Sequence, residues 1–504
     1  MEAFSGLKAP AFVFDANEIV RHLHVMADAD GGKTQADRLT SGYYKPGSRK
    51  HKTDSILHKG NNSYLMVWVD RLGVTAQADS LVAWLHGLAD IGFSEQAFLV
   101  ADIERDLQRM RSLDFDQHKN TINQVAARLE YRLTKACQRY CIGQRFGFVN
   151  PYRVFNYLDV EKEDSLHRVV KYRGLFDIEM DLPDEAYFVQ VLDKVRHDSL
   201  SAYLHQIQPT GKYYNELKDM LKQSATAADR QRVLCNMERA RWRRHQPIAD
   251  EGKRIVVNIP SYHLYAYGPD SVLEMRVVCG ALKTKTPQLS SSIEYMEVNP
   301  QWVIPMSIIK NEVAHRAGNS AYFASHRYHI YNRESNQEVS PSAVSAAMLN
   351  SGKYRVAQEG GRGNSLGRIV FRFKNRFSVF LHDTSSPGAF QNVSRAISHG
   401  CVRVSKPFEL AEFVLDAPEE WLLDRIRIAM GKTPQTDKGR HYVSTHEDEK
   451  QRQKLIGYVP VKPRVPLYII YNTLWYDKDG VLQSWPDVYN YDEVLWQNLQ
   501  TYVE

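Results

Sequence analysis

"HDTSSPGAFQNVSRAISHGCVRVSKP" occupies His382–Pro407. It gathers two histidines, one cysteine, a glycine directly before the cysteine and an arginine two residues after it. A thiolate is the strongest side-chain nucleophile at neutral pH, but the thiol must first lose its proton. An adjacent imidazole can take that proton. His382 follows the strand-like "FSVFL", so it sits at a strand end. Cys401 lies 401 − 382 = 19 positions later, in a tight "SHGCVR" turn. Gly400 permits a sharp backbone there, so amide N–H groups near Cys401 could face a developing oxyanion. Arg403 suits a substrate carboxylate. The competing reading is a buried cysteine with two structural histidines. That reading suits a lone Cys and His, and it fits the complete string poorly.

The other cysteines are Cys137, Cys141, Cys235 and Cys279, giving five in all. An odd, sparse set is no disulfide scaffold. Cys137 and Cys141 stand four apart on a predicted helix and read as small buried residues, because a CxxC-type metal site needs other spacing and more ligands. With 504 residues the chain is too long for one core, and about two to four domains are expected. Hydrophobic residues make up 43% and charged residues 25%, which suits a globular protein. The net charge of +6 comes from scattered Lys and Arg, without the dense basic tract that marks nucleic-acid binding. "YLMVWV" (Tyr64–Val69), the strongest apolar run, is too short to span a bilayer. The first residues lack a basic segment followed by an apolar one, so the chain is either cytoplasmic or has lost a signal segment.

Working outward, apolar residues at helical spacing fill most of Phe12–Phe155, as in "DSLVAWLHGLADIGF" and "NTINQVAARLEYRLTKACQRYC". The basic stretch Lys45–Ser63 reads as a surface loop. Two more helical segments carry the pattern to "NMERARWRR". Near Gly252 the chain turns to Val, Ile and Tyr in alternation. "KRIVVNIPSYHLYAYGPDSVLEMRVVCG" reads as two strands around a "GPDS" turn. Asp437–Gln453 reads as a charged linker, and "VPLYIIYNTLWYDKDGVLQSWPDVYNYD" as a strand, a turn and a strand. "DKDG" lacks the ligand positions of a calcium loop, "GKT" lacks the upstream glycine of a phosphate loop, and "EGGRGNSLG" carries neither nucleotide fingerprint. His22 and His24 read as surface residues. Between Pro305 and Gln358 the strand pattern breaks, and so long an irregular segment is expected to have its own small fold or a function.

The string "SHGCVR" (Ser398–Arg403), preceded by His382, resembles the signature of the L,D-transpeptidase family, of the YkuD type. "IVVNIPSYHLYAY", "RGNSLGRIVFRF", "FLHDT" and, in the N-terminal half, "VWVDRLGVTAQADSLVAWLHGLADIGF" are similar to segments of its large periplasmic members. The resemblance implies an α+β multidomain protein. It would have an α-helical scaffold domain over residues 1–251 and a β-rich catalytic domain over 252–504, with a capping (lid) subdomain inserted at 305–358. It implies acyl transfer on peptidoglycan stem peptides: Cys401 as nucleophile, His382 as general base, and 3→3 cross-links formed with release of D-Ala. It implies further that the Asp383 carbonyl orients the His382 imidazole, that His399 and Gly400 shape the oxyanion turn, and that Ser398 and Arg403 give support and substrate contact. Asn364 would border the cleft, and Tyr322 would cover the stem peptide. No metal or organic cofactor is required, and acylation of Cys401 by carbapenems is expected. The implied location is the periplasm or cell envelope, after removal of a signal segment. The implied form is a monomer with no nucleic-acid partner, and other cell-wall synthesis proteins remain open as partners. Hydrolysis of the acyl-enzyme, tethering of a protein to the wall, and a non-catalytic wall-binding scaffold stay open as alternatives. The small wall-binding module of many relatives has no room between the two halves of this chain.

Overall fold

The computed structural model describes residues 12–46, 66–70, 73–163, 168–248 and 251–503. Nearly all of the basic stretch Lys45–Ser63 lies outside them. Among the described residues no helix is long and apolar enough to cross a membrane. The chain forms two compact units that do not divide at 251/252. One comprises Met1–Leu158, Glu179–Pro247 and Asn490–Glu504, and the other Asp159–Ile178 and Ile248–Tyr489.

The first unit is helical and is built on the 25-residue helix Ile122–Phe146. A capping box starts it, with Thr121 accepting from the Gln124 amide and Gln124 reaching back. The helix is buried almost all round, as expected of a central rather than a peripheral helix. Its polar side chains are therefore satisfied internally. Fully buried Glu130 accepts from the amides of Val67 and Trp68, each at 2.8 Å, and from the Tyr44 hydroxyl at 3.0 Å. Burial pushes its carboxyl up to about 7, against the pull of those donors. Arg139 grips Asp37 with two bonds of 2.7 and 3.0 Å. The helix Tyr491–Val503 belongs to this unit, with Tyr491, Leu495, Leu499 and Tyr502 buried.

The second unit is a closed barrel of eight strands: β1 (Arg254–Asn258), β2 (His263–Tyr267), β3 (Val272–Gly280), β4 (Gln288–Val298), β5 (Ile369–Phe373), β6 (Leu381–His382), β7 (Val402–Val404) and β8 (Tyr458–Ile470). Around it the order is β5-β6-β7-β3-β2-β1-β8-β4, and β4 pairs with β5 to close the ring. Closure leaves these strands no free edge. Most neighbours are antiparallel, while β6–β7 and β8–β1 are parallel. Ile255, Val257, Leu264, Ala266, Val277, Ile293, Phe371 and Leu467 are all fully buried. The "GPDS" region holds three strands rather than the expected two, because Tyr262 at φ +53° turns the chain between β1 and β2. The Asp437–Gln453 segment is helical at Asp437–Thr445 and Glu449–Gln453 rather than a linker. Asp159–Glu163 and Val169–Arg173 form a hairpin, and Phe176–Asp177 joins β4, so strands lie inside the region expected to be all scaffold.

The 305–358 stretch has its own fold. Four strands line up as Trp302–Val303, Tyr354–Gln358, Tyr328–Asn332 and Glu338–Val339. Ile304, Ile309, Phe323, Ile330, Leu349 and Val356 form its separate core. This small core explains why the barrel pattern breaks there: its apolar residues serve a second centre.

Candidate active site

The parallel pairing of β6 with β7 sets His382 opposite Arg403 and Leu381 opposite Val402. Cys401 stands just before β7. Side chains alternate along a strand, so Cys401, Arg403 and His382 share one face. Diagonal neighbours of this kind lie roughly 7–8 Å apart at the backbone, within reach of long or aromatic side chains. The two-residue length of β6 suffices because the Val402 amide also donates to the Phe380 carbonyl at 3.0 Å.

The thiol is the one partly exposed cysteine of the five; Cys137, Cys141, Cys235 and Cys279 are buried. The Cys137 and Cys141 sulfurs lie 4.0 Å apart on one helix, which matches their expected role as small core residues. Cys401 Sγ faces the Ser378 carbonyl at 3.9 Å. Loss of solvation raises its pKa, partly offset by the Phe380 backbone and the charges of Arg372 and Arg403. His382 is 4% exposed, and its Nδ1 lies 2.5 Å from the Asp383 carbonyl oxygen. A carbonyl only accepts, so Nδ1 carries the proton and Nε2 keeps its lone pair. Burial lowers the imidazole to about 4, and the Arg403 and Arg372 charges act in the same direction. At neutral pH the site therefore holds a thiol and a neutral imidazole, whose Nε2 is the basic atom.

This ordering has a measurable sign. Protonating His382 requires acid, and ionising Cys401 requires alkali, so a thiolate–imidazolium pair is not stored at rest. Iodoacetamide should alkylate Cys401 slowly near neutrality, with the help of the neutral imidazole, and at a rate that climbs steeply from pH 7 to pH 9 as hydroxide forms the thiolate. A pH-independent rate between 5 and 8, read by intact-protein mass spectrometry, would show a preformed ion pair instead.

The turn is braced by hydroxyls. Ser398, 3% exposed, donates to the Cys401 carbonyl at 2.6 Å and accepts from the Gly400 amide at 3.1 Å. Thr286 Oγ1 donates to the Gly400 carbonyl at 2.9 Å. The Gly400 and Val402 amides are thus engaged, whereas the Cys401 amide between them has no acceptor among the described residues and is available to an oxyanion. Gly400 sits at φ +115°, where a side chain is strained. We expect Gly400→Ala to destabilise the catalytic unit by about 1–3 kcal/mol, read as a lowered unfolding temperature, and to slow thiol alkylation. An alanine variant with unchanged stability and reactivity would show that the turn tolerates another backbone.

The other predicted residues divide. The Asp383 carbonyl holds His382, and its carboxylate accepts the Arg368 amide at 2.8 Å. Arg403 has its Nε buried without a partner, and burial lowers its pKa. His399 does not line the oxyanion turn. It is exposed, and its Nε2 lies 3.1 Å from Glu312 of the capping subdomain. Asn364 does not border the cleft. It is fully buried and ties its own loop, bonding the Glu359 carbonyl at 2.9 Å and the Leu366 amide at 2.8 Å. Tyr322 is half-buried and packs within the capping subdomain against Phe323, His326 and Tyr328. Sequence reasoning missed Thr286, Ser378 and Glu312. Thr286 and Glu312 lie far from the signature in sequence, and only the barrel pairing and the capping fold bring them near it, whereas Ser378 lies in the "FSVFL" run just before His382.

A partly exposed thiol, a base with its proton fixed on the far nitrogen and a glycine turn with a free amide together suit nucleophilic acyl transfer. Residues 252–420 match the L,D-transpeptidase catalytic domain, YkuD, and residues 60–221 match the Scaffold domain. The chain thus joins a catalytic domain of the L,D-transpeptidase family to a scaffold domain. It is similar to the Haemophilus influenzae protein named "Putative L,D-transpeptidase", with 26% identity over 335 residues, which is 64% of this chain and 62% of that protein.

Proposed function

We propose that the protein is a peptidoglycan L,D-transpeptidase that forms 3→3 cross-links through a thioester on Cys401. The observation that carries this reading is the β6–β7 pairing, with Cys401, His382 and Arg403 on one face and the imidazole proton held by the Asp383 carbonyl. In the first half-reaction Cys401 Sγ attacks the carbonyl joining the third stem residue to the fourth, D-Ala. His382 Nε2 takes the thiol proton as the sulfur–carbon bond forms. The oxyanion lies toward the Cys401 amide, the C–N bond breaks, and His382 returns the proton to the departing D-Ala amine. In the second half-reaction the amine of another stem attacks the thioester, His382 takes its proton, and the thiol is regenerated as it leaves. Arg403, with its unpartnered Nε, suits a carboxylate of the stem.

Transfer to an amine rather than water needs a sheltered thioester. The capping subdomain supports this outcome, because Glu312 meets His399 two residues before the nucleophile. Under the same reading Cys401 is a target for carbapenem acylation, and the enzyme works at the cell envelope on stem peptides. Incubation with a purified disaccharide-tetrapeptide followed by mass spectrometry tests the reading. A dimer one D-Ala lighter than two monomers is the expected product. Accumulation of disaccharide-tripeptide alone would make the enzyme a carboxypeptidase, and no product would remove it from both classes.

A further inference from the structure

The helical unit contains a cavity of about 300 Å³. Its walls come from four separated parts of the chain: the start of the helix Gln35–Tyr44, the stretch from the end of the helix Ile122–Phe146 into Pro151–Phe155, the pair Leu182 and Pro183, and the helix Tyr491–Val503. Lys33, Arg38, Arg139 and Arg153 line it, and among the described residues no aspartate or glutamate does. Arg139 is already neutralised by Asp37, at 2.7 and 3.0 Å. Arg38 donates only to the Gly32 and Lys33 carbonyls, at 3.0 and 3.3 Å. Burial and the nearby Arg153 charge both disfavour its protonated form, while Asp37 favours it. Like charges brought together without a counter-charge are unfavourable, and sites that bind anions commonly have this arrangement. The remaining wall is not that of a bare-ion site. Phe146, Val149, Leu182 and Pro183 give it apolar surface, and Asn150 and Thr501 give it neutral polar groups.

We propose that this cavity binds a short peptide through its free carboxylate, with Arg38, Arg153 and Lys33 holding the anion and the apolar wall holding the adjoining side chain. Guanidinium groups match a carboxylate in shape and charge, and the apolar wall favours a peptide over a small inorganic ion. In an enzyme acting on acidic stem peptides this would give the scaffold its own grip on the wall. That extension rests on the function proposed above, whereas the binding itself does not.

The test uses the full chain carrying Cys401→Ala, so that no turnover intrudes and failure of the acyl-transfer reading leaves the result interpretable. Acetyl-Ala-Phe-Ala with a free C-terminal carboxylate is titrated by calorimetry against its C-terminal amide and against inorganic phosphate. We expect the amide to bind at least tenfold more weakly than the acid, and affinity for the acid to fall with added salt. Arg38→Gln/Arg153→Gln should lose at least tenfold in affinity for the acid. Arg153→Gln alone, at an exposed position, guards against misfolding and should also weaken binding. In the chain with Cys401 intact, the double variant should leave the alkylation rate of Cys401 unchanged. Equal binding of acid and amide, or absence of binding, would overturn the proposal. Phosphate binding as tightly as the acid peptide would overturn the peptide assignment in favour of a simple phosphate site.

Discussion

Cys401→Ala is expected to abolish cross-linking while leaving the catalytic unit folded. Loss of a covalent nucleophile removes the reaction path itself, and in comparable cysteine and serine systems costs on the order of 10⁴–10⁶ in rate. Folding should survive because the thiol is partly exposed and its polar contact, to the Ser378 carbonyl, is a long 3.9 Å. The same residue can be identified without a substrate. A carbapenem should add one drug mass to the intact protein, and peptide mapping should place it on Cys401. The four other thiols are buried, and Cys279 is pushed up to about 12 by that burial, so none competes as a nucleophile. Dimer formation by the alanine variant, or drug on Cys279 in the folded protein, would refute the choice of thiol.

His382→Ala should slow turnover by on the order of 10²–10⁴, the usual cost of losing a positioned base. His382 is nearly wholly buried, so an alanine there also opens a cavity, and slower turnover alone would not separate chemistry from packing. The pH dependence does. Thiol alkylation in the variant should lag the parent most near pH 7, where the base is needed. The gap should close toward pH 10, as hydroxide ionises Cys401 directly. His382→Gln, of more similar size, should show the same convergence. A deficit that stays constant across pH would make His382 structural. His399→Ala should cost far less, since that ring is exposed and meets Glu312 rather than the reacting atoms.

The proposed catalytic pair is legible in the sequence because the signature is local. Nucleophile, glycine turn and bracing serine fall within six consecutive residues, and His382 is marked by the strand before it. The surroundings were not legible, because β pairing joins residues distant along the chain. Nothing in "GRGNSLG" distinguishes an Asn364 that faces a cleft from one that ties its own loop; the choice depends on the Glu359 and Leu366 backbone it meets. His399 follows the signature as closely as Cys401 does, yet its direction is decided by Glu312, 87 positions earlier. In the fold, long helices such as Ile122–Phe146 announced themselves, while the strand-like "FSVFL" overstates β6, which covers Leu381 and His382 alone. Nothing within Tyr491–Val503 itself marks a return of the chain to the helical unit, because the neighbours that bury it there are far away in sequence.

That last helix changes what can be cut. The helical unit takes sequence from both sides of the barrel, so the catalytic segment is a guest within its host rather than a successor to it. A fragment running from 252 to 504 would carry an orphan: Tyr491, Leu495, Leu499 and Tyr502 would lose the neighbours that bury them. A fragment ending at 247 would leave an open slot where those side chains belong, with Arg239 deprived of Asp492, now 2.6 Å away. An isolated barrel is better excised by stopping near Tyr489. A helical unit made alone needs the final helix returned to it, either through a short linker after Pro247 or as a separate peptide added in trans.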